Sequence, residues 1–359
     1  MATQQKHPAE MTFADELRAL AEHDTGPVPT GWSMGPQSVV TYLMGGKAGD
    51  GTVISPKYIG DRRLMETAVA SLATDRALLL LGVPGTAKSW VSEHMTAAIS
   101  GDSTMMIQCT AGTDENQIRY SWNYAELLAK GPSTDALVPT PLFRAMEQGK
   151  ICRLEELTRM GSDVQDTLIT VLSEKLIPVP ELNTSQYAAQ GFNVIATANN
   201  KDKGVNDLSS ALKRRFNVVV LPLPASLKEE IQIVDKRVAE ASSDLKLGVP
   251  KNAQDEITRV LEIFRELRDG ESRDGKVKLK ELSSSLSTAE AIGVVVGSIS
   301  HAHYFDGGRL SAEALAPQML GAIIKDPQQD KKVLEEYLET VLKKRFDDRD
   351  LYSALTSMM

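Results

Sequence analysis

The segment "GVPGTAKS", Gly82 to Ser89, follows the apolar run Ala77–Leu81 and precedes a helix-like pattern, and its residue types suit the holding of an anion. A phosphate-binding loop of the form GxxxxGK[ST] works by aiming backbone N–H groups and the positive end of a helix dipole at one anion. Gly82, Gly85, Lys88 and Ser89 fall in that register, Val83, Pro84 and Thr86 fill the turn, Trp90 enters the helix, and Ala87 stands where the last glycine would. In such a loop Lys88 reaches the β- and γ-phosphates of a nucleotide and Ser89 places its hydroxyl on a magnesium ion. Ala87 fits if its backbone avoids positive φ and its methyl clears the phosphates. The bland alternative is a strand–helix turn capped by a lysine–serine pair, and the order of strand, turn and helix favours the phosphate loop over it.

Chemistry therefore needs further groups downstream. In "GKICRLEELTR" the strand-like Ile151–Leu154 runs into Glu155 and Glu156. One carboxylate there can hold magnesium and its neighbour can orient a water for in-line attack. The bland alternative is two solvated glutamates starting a helix. "FNVIATANN" is another apolar strand, ending in Asn199 and Asn200, where an amide can bond the attacking water or simply shape a turn. "SSALKRRF" ends a helix with Arg214 and Arg215. Arginines there complement the helix dipole, or serve as an arginine finger in a neighbouring subunit's site.

The elements that would carry these groups alternate. Strands at Ala77–Leu81, Thr104–Gln108, Lys150–Leu154, Phe192–Ala198 and Asn217–Leu221 are separated by helices at Ser89–Ile99, Pro141–Gln148, Val164–Glu174 and Leu208–Arg215, which implies a parallel sheet with right-handed crossovers. Helices at Ala9–Glu22 and Asp61–Thr74 precede them. A Pro- and Gln-containing insert interrupts at Leu176–Gln190. After "LPLPAS" only helices are read, at Leu227–Glu240, Ala253–Leu267, Thr288–Ala302 and Gln329–Arg345, so the expected division is 1–54, 55–224 and 225–359. The 359 residues, 42% hydrophobic and 25% charged, are globular in balance, and a net charge of -8 without a lysine–arginine block gives no reason to expect nucleic acid as a partner. "MATQQKHPAEMTF" has no apolar core of signal length and no run spans a membrane, so a cytoplasmic location is expected. Cys109 and Cys152 read as buried thiols rather than a disulfide or metal pair, and His301 and His303 as surface or packing residues.

Together, "GVPGTAKS", "ICRLEE", "ATANN" and "ALKRRF" before a helical region resemble the AAA+ ATPases, specifically their MoxR-like branch, over Ser55–Phe346. Proline followed by glycine, with alanine before the lysine, is similar to the MoxR form of the loop. The resemblance implies an α/β class: a P-loop AAA+ core with a parallel sheet flanked by helices, plus a C-terminal α-helical lid domain. It implies ATP and Mg2+ as cofactors, Lys88 and Ser89 as the first nucleotide motif, Glu155 and Glu156 as the second, Asn199 as first sensor, and Arg214 or Arg215 as finger. Ile59 and Gly60 in "KYIGDRR" are similar to the segment that cradles adenine, and the insert is similar to a hairpin that faces the pore of a ring. Two features depart from the branch: Glu155 stands where aspartate is usual, and "LSSSLSTAEA" carries Ala289 where a second-sensor arginine would fall. The implied activity is ATP hydrolysis in a homo-oligomeric ring, a hexamer, that remodels or activates a protein client. The resemblance also implies an adaptor with a von Willebrand factor A domain on a separate polypeptide, with "FDDRD" in the short tail after Phe346 offering exposed carboxylates. The competing readings are a nucleotide-gated scaffold that barely hydrolyses and, more distantly, a small-molecule P-loop kinase.

Overall fold

The computed structural model describes residues 7–199 and 206–359, so Asn200 lies outside the described residues. The strand Ala77–Gly82 explains the architecture. Leu78 and Leu80 enter one apolar cluster while Ala77 and Leu79 enter another, so both faces are covered and the strand reads as an unbroken apolar run. It lies in a five-stranded parallel sheet in the order Phe216–Val220, Ala77–Gly82, Asn193–Asn199, Ile151–Glu155, Met106–Gln108. The chain leaves Ala77–Gly82, reappears at the far edge and returns inward. The carboxyl ends of the strands therefore meet where its direction changes, the usual ligand crevice of an open α/β sheet. Asn199 pairs with Gly82 and Gln108 with Glu155, which brings three predicted site segments to one edge.

The helices between the strands begin at residues suited to starting them. Asp61 accepts from the backbone N–H of Arg63 ahead of Arg62–Leu72. Thr140 accepts from Phe143, and Pro141 occupies the first position of Pro141–Gln148, where no N–H is needed. The expected single N-terminal helix breaks at Phe13 into Ala9–Thr12 and Ala14–Glu22. The polar stretch after Gln108 is also structured: a short helix Glu115–Ile118, the antiparallel pair Tyr120–Trp122 with Leu137–Pro139, and a helix Tyr124–Lys130 between them. The insert forms an antiparallel hairpin, Leu176–Val179 with Thr184–Tyr187. The helix expected at Leu208–Arg215 is only Ser210–Lys213.

The chain forms two compact units: one runs to Val83 and from Ala87 to Pro222, the other takes Pro84–Thr86 and Leu223–Met359. The second is helical, with helices Leu227–Asp244, Ala253–Asp269, Thr288–Phe305, Ala312–Ile323, Asp330–Thr340 and Arg349–Met358 around their own apolar core. The short tail after Phe346, for which no helix is expected, carries the helix Arg349–Met358, which buries Leu351 and Leu355. Of the "FDDRD" carboxylates Asp347 and Asp350 are exposed as expected, and Asp348 alone is buried; Arg259 bonds Asp348 at 3.1 Å and Asp350 at 2.6 Å. Among the described residues no helix is long and apolar enough to cross a membrane. Cys109 and Cys152 are free and buried, and burial pushes the Cys109 thiol up to about 12, which keeps it protonated and unreactive.

Candidate nucleotide-binding site

The loop after Ala77–Gly82 turns into the helix Lys88–Ser100 through two positive-φ residues, Gly85 at φ 79° and Ala87 at φ 61°. The expectation that Ala87 would avoid positive φ is thus corrected. The chain must reverse just before the helix for its first N–H groups to face outward, and a left-handed residue does this. For a non-glycine it costs roughly 1 kcal/mol. Lys88 is buried, and its Nζ donates to the carbonyls of Gly82 at 3.0 Å and Val83 at 2.9 Å, so the ammonium lies along the concave side of the loop.

Glu155 is the hub of the site. The residue is 3% exposed, and the hydroxyls of Ser89, Ser92 and Thr197 donate to its carboxylate at 2.7, 2.6 and 2.7 Å. Arg153, two residues earlier and hence on the same face of the strand, adds Nη2 at 2.7 Å and Nε at 3.1 Å. Burial alone would raise the Glu155 carboxyl, but the Arg153 charge and the three hydroxyls outweigh it and hold the group below its ordinary value, so it is a carboxylate. Magnesium bound with nucleotide phosphates needs only one or two protein oxygens, and the Ser89 hydroxyl with the Glu155 carboxylate is such a pair. Among the described residues no group of three or more histidines, cysteines, aspartates or glutamates could hold a metal by itself.

Glu156 also has positive φ, 57°, at the strand's end. Its N–H donates to Thr197 Oγ1 at 3.0 Å, and its carboxylate pairs with Arg159. Asn199 sits opposite Gly82, at the mouth of the loop. Arg214 and Arg215 are not brought to this cluster, because the strand they precede pairs Phe216 with Ala77, at the other end of the sheet. Arg215 bonds Ser173 and the Ala211 carbonyl, whereas the exposed Arg214 side chain has no hydrogen bond or ion pair among the described residues.

Ile59 is half-buried and Gly60 exposed at φ 153°, just past Lys57. Lys57 ties that segment to the rest: its carbonyl accepts from Trp90 Nε1 at 2.8 Å, and its Nζ donates to Glu16 at 2.6 Å and lies 4.1 Å from the Phe13 ring centre. Trp90 packs on His94, whose Nδ1 is 2.8 Å from the Tyr42 hydroxyl. The N-terminal helices are thus built into the wall beside the phosphate loop. Sequence reasoning missed Arg153, Ser92, Thr197, Lys57 and Glu16. A signal existed for the first, since an arginine inside an apolar strand, two residues before a site glutamate, shares its face.

A family model described as AAA domain (dynein-related subfamily) matches residues 77–216, and one described as YehL-like AAA+ ATPase C-terminal domain matches 228–356. Protein YehL of Escherichia coli (strain K12) is 40% identical over 344 residues, covering 93% of this chain and 92% of its own length. Protein NorQ of Paracoccus denitrificans (strain Pd 1222) is 26% identical over 207 residues, 57% of this chain and 73% of NorQ. The solved structure of NtrX from Brucella abortus with ADP superimposes with a TM-score of 0.49 at 15% identity, over 83% of this chain and 64% of that one. The fold is that of an AAA domain followed by a helical C-terminal domain of the AAA+ ATPases. The chain belongs to the MoxR-like AAA+ ATPases, of the YehL type.

Proposed function

We propose that this ATPase binds ATP with Mg2+ and hydrolyses it in a homo-oligomeric ring, a hexamer, to remodel or activate a protein client in the cytoplasm. The observation that carries the reading is the meeting of Ser89, Glu155 and Thr197, from three segments of the sheet edge, within 2.7 Å contacts beside the Lys88 loop. In this reading the loop residues Gly82 to Trp90 hold the phosphates, Ser89 and Glu155 the magnesium, and Ile59 and Gly60 the adenine. Glu156 activates the water, Asn199 senses the γ-phosphate, and the core ends near Pro222 before a lid starting about Ala225. Bound Mg2+ would offset phosphate charge, while the chain supplies orientation and a base.

Arg214 is the better candidate for the finger, because it is exposed and unbonded while Arg215 is tied within its own subunit. A client adaptor with a von Willebrand factor A domain fits this class, and its contact would draw on the exposed Asp347 and Asp350 rather than on the buried Asp348. The second reading, a nucleotide-gated scaffold with little hydrolysis, draws on the Glu156–Arg159 pair, which must open before Glu156 can act as a base. Steady-state phosphate release, measured alongside light scattering with ADP and ATP, tests both: nucleotide-dependent assembly with no turnover selects the scaffold, and a monomer without turnover sinks both readings.

A further inference from the structure

The two oxygens of Glu155 have different partners. Oε1 accepts from Ser92 Oγ and from Nε and Nη2 of Arg153, and Oε2 accepts from Ser89 Oγ and Thr197 Oγ1. Arg153 also donates from Nε to Ser92 Oγ at 3.1 Å, from Nη1 to the Ser103 carbonyl at 3.1 Å and from Nη2 to the Ser89 carbonyl at 3.2 Å. Five donor contacts on one carboxylate fix its orientation. Arg153 and Glu155 are both buried, and Arg153 is bonded to the same serine whose hydroxyl meets Oε2.

We propose that Arg153 is a positioning residue for the magnesium–nucleotide site and that Arg153 and Glu155 form a length-matched unit. The guanidinium anchors Oε1, and the glutamate side chain is long enough to present Oε2 to Ser89 at the same time. The inference rests on reading Ser89 and Glu155 as the magnesium side of the site. A shorter carboxylate at position 155 could not keep both ends. Arg153 brings two donors and a full positive charge to the carboxylate against the single neutral hydroxyl of Ser89, so the buried guanidinium would win and draw the group away from Ser89. Glu155→Asp, which keeps every charge, should therefore weaken the site, and removing the anchor should repair it.

The test is calorimetric titration of the full chain with ADP, with Mg2+ and with chelator. In the wild type Mg2+ should tighten ADP binding. Glu155→Asp should reduce that enhancement about 10-fold, the scale on which lost support of a metal ligand is felt, with metal-free ADP affinity unchanged. Arg153→Leu/Glu155→Asp should recover most of it, because the short carboxylate is then free to turn to Ser89. A purely structural Arg153 would move the melting temperature and leave the ratio alone. Arg153→Lys, which keeps the charge without the fork, should lose part of the enhancement and serves if the leucine variant does not fold. Undiminished enhancement in Glu155→Asp, or a double variant no better than Glu155→Asp, overturns the pairing. Wild-type ADP binding that ignores Mg2+ overturns the underlying reading of the site instead.

Discussion

Arg214 and Lys88 stand at opposite ends of the strand Ala77–Gly82. Lys88 Nζ contacts the Gly82 carbonyl, while Arg214 lies two residues before Phe216, which pairs with Ala77, and its own carbonyl is pinned by Arg76 at 2.6 Å. At a rise of about 3.3 Å per residue the strand separates them by roughly 16 Å. An arginine anchored at that end cannot meet the phosphates held by its own subunit, so any finger role requires a second copy of the chain.

Arg214→Ala should accordingly cut ATP turnover by on the order of 1,000-fold with little change in melting temperature. Arg215→Ala should cost about 1 kcal/mol through the lost bonds to Ser173 and Ala211. Mixing Arg214→Ala with Lys88→Ala subunits should restore some turnover, since mixed interfaces contain one intact half from each. No rescue in rings shown to be mixed would place Arg214 outside catalysis.

Lys88→Ala removes the cation that lines the loop beside Gly82 and Val83. A ligand at 100 times its dissociation constant stabilises a protein by about 2.7 kcal/mol. That thermal shift with ATP should vanish in the variant, and a shift equal to wild type would remove the loop from the site.

The adjacent glutamates should separate cleanly. Glu156→Gln keeps the backbone N–H to Thr197 and should bind ATP without cleaving it, whereas Glu155→Gln should weaken the dependence on Mg2+, because Glu155 is the carboxylate bonded to Ser89. Hydrolysis at the wild-type rate by Glu156→Gln contradicts the assignment of the base.

The N-terminal helices should matter for nucleotide affinity through one ion pair. Glu16→Gln removes the negative charge that pairs with the buried Lys57 ammonium, and breaking a buried pair costs about 3 kcal/mol. Because the Lys57 carbonyl holds Trp90, next to Ser89, ADP affinity should fall along with the melting temperature. Lost stability with unchanged affinity would make the brace purely structural.

Acid sensitivity of the helical unit should trace to Glu230. Burial alone raises its carboxyl, but Arg268 at 2.9 Å, Thr288 at 2.8 Å and Arg265 at 3.0 Å hold it below its ordinary 4.5. A depressed folded-state value stabilises the fold fully above the unfolded value, and the contribution is lost as pH falls through the folded one. Stability measured from neutral pH down through the carboxylate range should decline less steeply in Glu230→Gln, from a lower start. Parallel curves would clear Glu230 of the role.

What the sequence alone determined is the order and type of the parts. Strand, glycine turn and helix around Gly82–Ser89, the Glu155–Glu156 strand end, and the switch to helices near Ala225 are local patterns, set by apolar periodicity and turn residues. The tertiary structure decided what each group touches. Thr197 joins Glu155 only because the strands Ile151–Glu155 and Asn193–Asn199 lie side by side in register, and no one-dimensional spacing carries that, whereas Arg153 shares the strand face of Glu155 by spacing alone. The left-handed Ala87 could not be read off either, because the direction of the helix it starts imposes it against the residue's own preference. The final helix escaped for the same reason: "RDLYSALTSM" is short and weakly apolar, and what holds it is the core that Leu351 and Leu355 enter, together with Arg259 reaching from another helix to Asp348 and Asp350.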